Sequence, residues 1–126
     1  MPSRERVLAL VAMVEKAQFV EAIEEFYHPH ASMQENQDPP RVGRDALVAE
    51  ERATMARFKS MITHPVETVI VDGDHVVIHW TFEFTPPVGP PMVLEELALQ
   101  RWEGDRIAHE QFFYDPRQTR PPKPTA

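Results

Sequence analysis

Between residues 76 and 85 the chain alternates strictly: Val76, Ile78, Trp80, Phe82 and Phe84 are large and apolar, and the residues between them are mostly polar. A period of two predicts a strand with one covered face. It is flanked by a turn sequence, Asp72-Gly73-Asp74-His75, and a proline-rich reversal, Pro86-Pro87-Val88-Gly89-Pro90-Pro91. Both sequence neighbours should therefore pair with it antiparallel, which makes it the centre of a meander.

The other periods place the remaining elements. Residues 3–27 are helical in character, with Ser3 as a cap and with Val7, Leu8, Val11, Val14, Phe19, Ile23, Phe26 and Tyr27 at helical spacing. The length suits two helices bending near residues 16–18, or one long helix. His28-Pro29-His30 ends the segment, because the residue before a proline is pushed out of the helical region. Residues 31–36 form a short strand candidate. A third helix should open at Asp45 and run to about Met61, with Leu47, Glu50, Glu51, Thr54, Phe58 and Met61 near one stripe. Its two glutamates are expected to flank the apolar face and meet solvent. Strands over residues 66–71, 92–103 and 106–115 complete an α+β arrangement, with helices packed on one face of a curved, mainly antiparallel sheet.

Two-residue loops at Gly73-Asp74 and Gly104-Asp105, with Phe84 opposite Leu94, fix a register. The face shared with Trp80 and Phe82 then carries Glu67 from the strand before, Glu96 and Gln100 from the strand after, and His109, Gln111, Phe113 and Asp115 from the last strand. Several carboxylates would be costly in a plain core, so this face is expected to line a pocket. A slip of one residue would exchange the set for Arg101, Glu95, Glu110, Phe112 and Tyr114. Glu35 on the first strand and Tyr27 are further candidates for the lining.

Length and charge narrow the function. The 126 residues suit a single domain over residues 1–116, followed by a proline-rich tail over residues 117–126. A net charge of -7 without a basic stripe argues against nucleic-acid binding. The absence of cysteine removes thiolate chemistry and disulfides. The four glycines supply no phosphate-cradling loop or dinucleotide fingerprint, and the six histidines show no spacing that gathers three metal ligands. No cofactor or metal is expected. No secretory signal or spanning apolar run is evident, so a cytoplasmic protein without membrane association is expected.

Three stretches carry a resemblance. These are Phe26-Tyr27-His28-Pro29-His30-Ala31, Val42-Gly43-Arg44-Asp45-Ala46-Leu47, and Trp102-Glu103-Gly104-Asp105-Arg106-Ile107 with Phe113-Tyr114-Asp115-Pro116. Together they resemble the SnoaL-like branch of the nuclear transport factor two-like superfamily, which implies a cone-shaped α+β barrel enclosing a pocket. Members include polyketide cyclases, ketosteroid isomerases, limonene epoxide hydrolases, dehydratases and non-enzymatic domains. Function therefore has to be argued from the site. The resemblance matches Asp115 to the base that ends the last strand in the cyclases and epoxide hydrolases, whereas the hydrolases' Asp-Arg-Asp triad is not reproduced. Tyr27 or Tyr114 would supply the phenol that an isomerase needs.

The combined expectation is a homodimer whose cavity holds a small, largely apolar organic molecule carrying a carbonyl or epoxide. Asp115 would act as base and Glu96 or His109 as acid, with Trp80, Phe82 and Phe113 as walls and Gln111, Gln100, Glu67, Glu35 and Tyr27 around the ligand. For His109 the favoured reading is a satisfied core hydrogen bond, with a proton relay as the alternative. The contrasting expectation is a non-catalytic ligand-binding or dimeric assembly domain.

Overall fold

A computed structural model describes residues 1–119 of the chain. Helix α1 spans Arg4–Glu15, and the Ser3 hydroxyl accepts a hydrogen bond from the Arg6 N–H at 3.0 Å, satisfying one of the free donors of the first turn. Ala17 takes a left-handed φ of 61°, which ends α1 and separates it from α2, Phe19–Phe26. The segment is thus two helices. Strand β1, Tyr27–Glu35, follows directly, so it begins earlier than expected and runs through Pro29. Its pairing with the last strand is irregular between Tyr27 and Ser32, which accommodates a residue with no N–H to give.

A two-residue strand β2, Arg41–Val42, pairs with β1 and was not expected. Gly43, at φ 101°, then opens α3, Arg44–Arg57. This helix stops short of Met61 because Phe58 turns extended. The following residues form β3, Ser60–Thr63, which lies antiparallel to the end of the central strand, with Met61 opposite Phe84 and Thr63 opposite Phe82. Strand pairing here overrides a helical period that the sequence carries through to Met61.

The meander consists of β4, Val69–Asp72, β5, His75–Thr85, β6, Met92–Glu103, and β7, Arg106–Phe113. The sheet order is β2-β1-β7-β6-β5-β3, with β4 beside the first half of β5; β1 runs parallel to β7 and the other pairs are antiparallel. A 3-10 turn, Pro116–Thr119, returns to β6, where Gln118 exchanges two hydrogen bonds of 3.0 Å with the Glu95 backbone. Residues 120–126 of the expected tail lie outside the described residues.

Two registers differ from expectation. Phe84 pairs with Met92 and Phe82 with Leu94, an offset of two that leaves every side chain on its expected face. In the last hairpin Trp102 pairs with Ile107 through the expected two-residue loop, but Arg101 then pairs with His109. Ala108 is an extra residue, a β-bulge. Beyond it the alternation is reversed: Glu110 and Phe112 now share the face of Gln100 and Ala98, with Tyr114 following them. His109, Gln111 and Phe113 are moved to the opposite face, a correction to the expected lining.

Helices α1 and α2 cover the first half of the inner face, where Val7, Leu10, Phe26, Val76, Ile78, Trp102 and Ile107 form the core. Burial falls along β5, from Val76 and Ile78, which are fully buried, to the half-buried Phe82 and Phe84. Core at one end therefore gives way to a lined space at the other. No helix among the described residues is long and apolar enough to cross a membrane. Ile78→Ala, at the centre of the closed end, is expected to cost about 2–5 kcal/mol in urea denaturation, because it leaves a cavity that its neighbours cannot fill.

Candidate functional site

The open end of the sheet encloses a cavity of about 400 Å³. One wall is aromatic: Trp80 stacks on Phe82 at 5.6 Å between ring centres, Phe82 meets Phe84 at 6.0 Å, and Phe58 lies 5.1 Å from Phe84. Phe19 from α2 meets Phe82 edge-on at 6.3 Å. The α3 stripe faces inward complete, with Leu47, Glu50, Glu51, Thr54, Phe58 and then Met61 of β3 all in the lining. Glu51 thus lines the cavity instead of flanking the apolar face, and Glu50 lines its rim, half exposed and in an ion pair with Arg41.

The polar floor is built from Tyr27, Glu96, Gln100 and Glu110. Glu110 is buried, with both oxygens occupied: the Tyr27 hydroxyl donates to Oε1 and the Gln100 Nε2–H donates to Oε2 at 2.6 Å. The Trp102 indole N–H donates in turn to Gln100 Oε1 at 3.0 Å. Burial pushes the Glu110 carboxyl up to about 7, even though the bonds from Gln100 and Tyr27 favour its ionised form. The Tyr27 phenol is held well above its usual range, first by burial and then by the charge of Glu110.

Glu96 lies opposite Trp80 on β5 and its carboxyl makes no hydrogen bond; the residue is 7% exposed. Burial is the main reason that its carboxyl is pushed up to about 9, with Glu35, Glu110 and Glu51 adding repulsion. It is therefore a protonated acid at neutral pH in an apolar setting. Glu35 and Glu51 are also raised by burial, with Arg41 opposing the shift. Arg41 bonds Glu35 Oε1 at 3.3 Å, while Glu35 Oε2 is buried without a partner.

Of the residues expected from the sequence, Glu96, Gln100, Tyr27, Glu35, Trp80 and Phe82 come together in the cavity. The others stand outside it. The His109 imidazole Nδ1 is 2.6 Å from the Ser32 hydroxyl on the opposite face, and burial followed by Arg101 lowers its pKa. Gln111 donates to the Asn36 carbonyl at 2.8 Å, Phe113 is exposed on the outer face, and Glu67 is exposed before β4. Asp115 follows the end of β7, is exposed and pairs with Arg117 at 2.8 Å. Lining residues that the expected register did not place there include Glu110, Phe112, Tyr114, Arg41 and Glu51. The first three belong to the slipped register, and the last stands in the α3 stripe. Among the described residues no cluster of three or more His, Asp or Glu side chains is arranged to hold a metal ion.

Carboxyls raised in this way bind protons in the folded protein that the unfolded chain releases near its ordinary value of 4.5. Their contribution to stability is complete below about pH 4.5 and is lost as pH rises toward 7 for Glu110 and 9 for Glu96. Glu96→Gln, which keeps the shape and cannot ionise, is expected to raise the melting temperature by roughly 5 °C at alkaline pH and to leave it nearly unchanged in acid. Thermal denaturation of both proteins across pH checks this.

The sequence pattern of a SnoaL-like domain matches residues 7–110 of the chain. No curated protein matches significantly. Among solved structures, a protein from Jannaschia sp. CCS1 assigned as a SnoaL-like polyketide cyclase superposes with a TM-score of 0.75 at 16% identity, over 91% of this chain and 89% of that one. One from Mesorhizobium loti, assigned as a SnoaL-like polyketide cyclase and also named a carbohydrate phosphatase, gives 0.72 at 20% identity, over 90% and 100%. TerC, co-crystallised with polyporic acid, gives 0.73 at 18% identity, over 88% and 89%. At these identities the likeness establishes the fold, and the domain match over most of the chain establishes that this protein belongs to the SnoaL-like family.

Proposed function

We propose that the cavity binds a small, largely apolar organic molecule carrying a carbonyl or epoxide and carries out acid–base chemistry on it without a cofactor. The observation that carries this reading is Glu96: a carboxylic acid, more than nine-tenths buried, facing the cavity with no hydrogen-bond partner. A group desolvated at that cost finds its partner in a ligand. The aromatic wall gives the apolar body a surface, Glu96 supplies a proton to the oxygen, and Glu110 is the carboxylate that accepts one. The polyketide cyclase assignments of two proteins with this fold, and the organic ligand held by a third, support a small-molecule role.

The homodimer expected from the sequence is part of the same proposal. On the face opposite the cavity, Leu97 of β6 pairs directly with Phe113 of β7, and Val93 and Leu99 stand on the same side of β6. All four are between 37% and 49% exposed. Exposed apolar side chains interleaved with the His79–Glu95 ion pair on a sheet face that no helix covers fit an interface between copies of the chain.

Screening carbonyl and epoxide compounds by thermal shift, followed by turnover assays, tests the first part. Glu96→Gln is expected to lower turnover of a processed compound by about 100-fold while the protein still binds it. Unchanged turnover would refute the acid role, and tight binding with no turnover of any compound would favour the non-catalytic binding domain. For the second part, light scattering should give a dimer mass that Leu97→Asp reduces to that of a monomer. A monomeric wild type would remove the proposal.

A further inference from the structure

The buried chain Trp102, Gln100, Glu110 and Tyr27 has a direction. An indole N–H can only donate, so it fixes the Gln100 amide with its oxygen toward Trp102 and its NH2 toward Glu110. Glu110 Oε2 must then accept. With that oxygen committed, the remaining place for a proton on this carboxyl is Oε1, which faces the Tyr27 hydroxyl. Tyr27, Gln100 and Glu110 all belong to the cavity floor and all are buried, but Gln100 occupies Glu110 Oε2 and the Tyr27 hydroxyl occupies Oε1, so neither carboxyl oxygen is left open to a bound molecule.

We propose that Trp102, acting through Gln100, is a positioning residue that keeps the proton off Glu110 Oε2, so that Glu110 exchanges protons with a bound molecule only by way of Tyr27. The inference rests on the cavity being a binding site. It adds that Tyr27, with its hydrogen already given to Glu110, presents a lone pair to the ligand. In the step this allows, a ligand C–H or O–H bond breaks and its proton goes to the Tyr27 oxygen. The Tyr27 proton passes to Glu110 Oε1, and the ligand's electron pair is displaced toward its carbonyl oxygen, which takes the Glu96 proton. Charge is conserved: Glu110 becomes neutral as Glu96 becomes ionised. The titratable groups that interact with Glu110 through charge are Glu35 from β1, Glu51 from α3 and Glu96 from β6, and none of them is hydrogen-bonded to it; Gln100 and Tyr27 are its donors.

Carbon-13 NMR of the ligand-free protein tests this without a substrate. In the wild type, the Glu110 side-chain carboxyl and the Tyr27 ring carbon bearing the hydroxyl should titrate with a common midpoint, because protonation at Oε1 reverses their hydrogen bond. In Trp102→Phe the Gln100 amide is free to turn its oxygen to Glu110 and draw the proton to Oε2. The Glu110 midpoint should then rise by about one pH unit and the Tyr27 carbon should stop following it. A Tyr27 signal that stays flat through the wild-type Glu110 titration would overturn the proposal, whether or not the variant folds. A folded Trp102→Phe with unchanged midpoint and unchanged coupling would overturn it as well. Either result leaves the binding reading intact, and a cavity that binds none of the screened compounds would leave the titrations to stand as a property of the fold.

Discussion

One inserted residue decides what this cavity is. If Ala108 were part of a regular ladder, the inner face of β7 would present His109, Gln111 and Phe113, and the buried network under the cavity could not form. The bulge adds one residue between the Trp102·Ile107 and Arg101·His109 pairs, which places Glu110 opposite Gln100. From there it reaches both the amide and the Tyr27 hydroxyl. The cost is local, a disturbed pair of ladder bonds, and both Ile107 and Ala108 are buried at the bulge. The sheet's closed end is tight on one side of this point and its open end is polar on the other.

The second constraint is the price of burying carboxyls. Glu35, Glu51, Glu96 and Glu110 line one space, with Arg41 paired to Glu35 and to the more exposed Glu50. Four anions so close together in a buried cavity would repel one another, and burial raises the pKa of all four, with Arg41 opposing the shift at Glu35 and Glu51. Glu110 and Glu96 resolve it differently. Glu110 has donors on both oxygens and its pKa sits near neutrality, whereas Glu96 has none and holds its proton into the alkaline range. Two carboxyls on adjacent strands thus acquire opposite protonation tendencies from their surroundings alone, which is the usual way for one site to hold an acid and a base together.

The two faces of the sheet are used differently. The inner face passes from core to cavity as the helices run out, and β3 and α3 then supply Met61, Phe58, Thr54 and Glu51 to enclose the open end. The outer face has no helical layer. It mixes ion pairs such as His79 with Glu95 at 3.4 Å and His64 with Glu83 at 3.3 Å with the apolar Leu97 and Phe113.

The sequence by itself determined whatever depends on period and punctuation. The alternation from Val76 to Phe84 placed the central strand and its covered face. The Gly73-Asp74 and Gly104-Asp105 turns placed both hairpins, and the α3 stripe from Leu47 to Met61 named the side chains that face the cavity, although not that Glu51 would be drawn inside. Of the expected lining residues found in the cavity, Trp80, Phe82, Glu96 and Gln100 follow from that alternation and the register built on it, whereas Glu35 and Tyr27 come from the first strand candidate and the end of the helical segment. Only the tertiary structure decided the bulge at Ala108, the strand at Ser60–Thr63 and the extra pairing at Arg41–Val42. The reason is physical. Local period reports which residues can share a face, but an inserted residue has no local signature. Its position is chosen by which side chains, Glu110 with Gln100 and Tyr27 or His109 with Ser32, find partners once the strands are together.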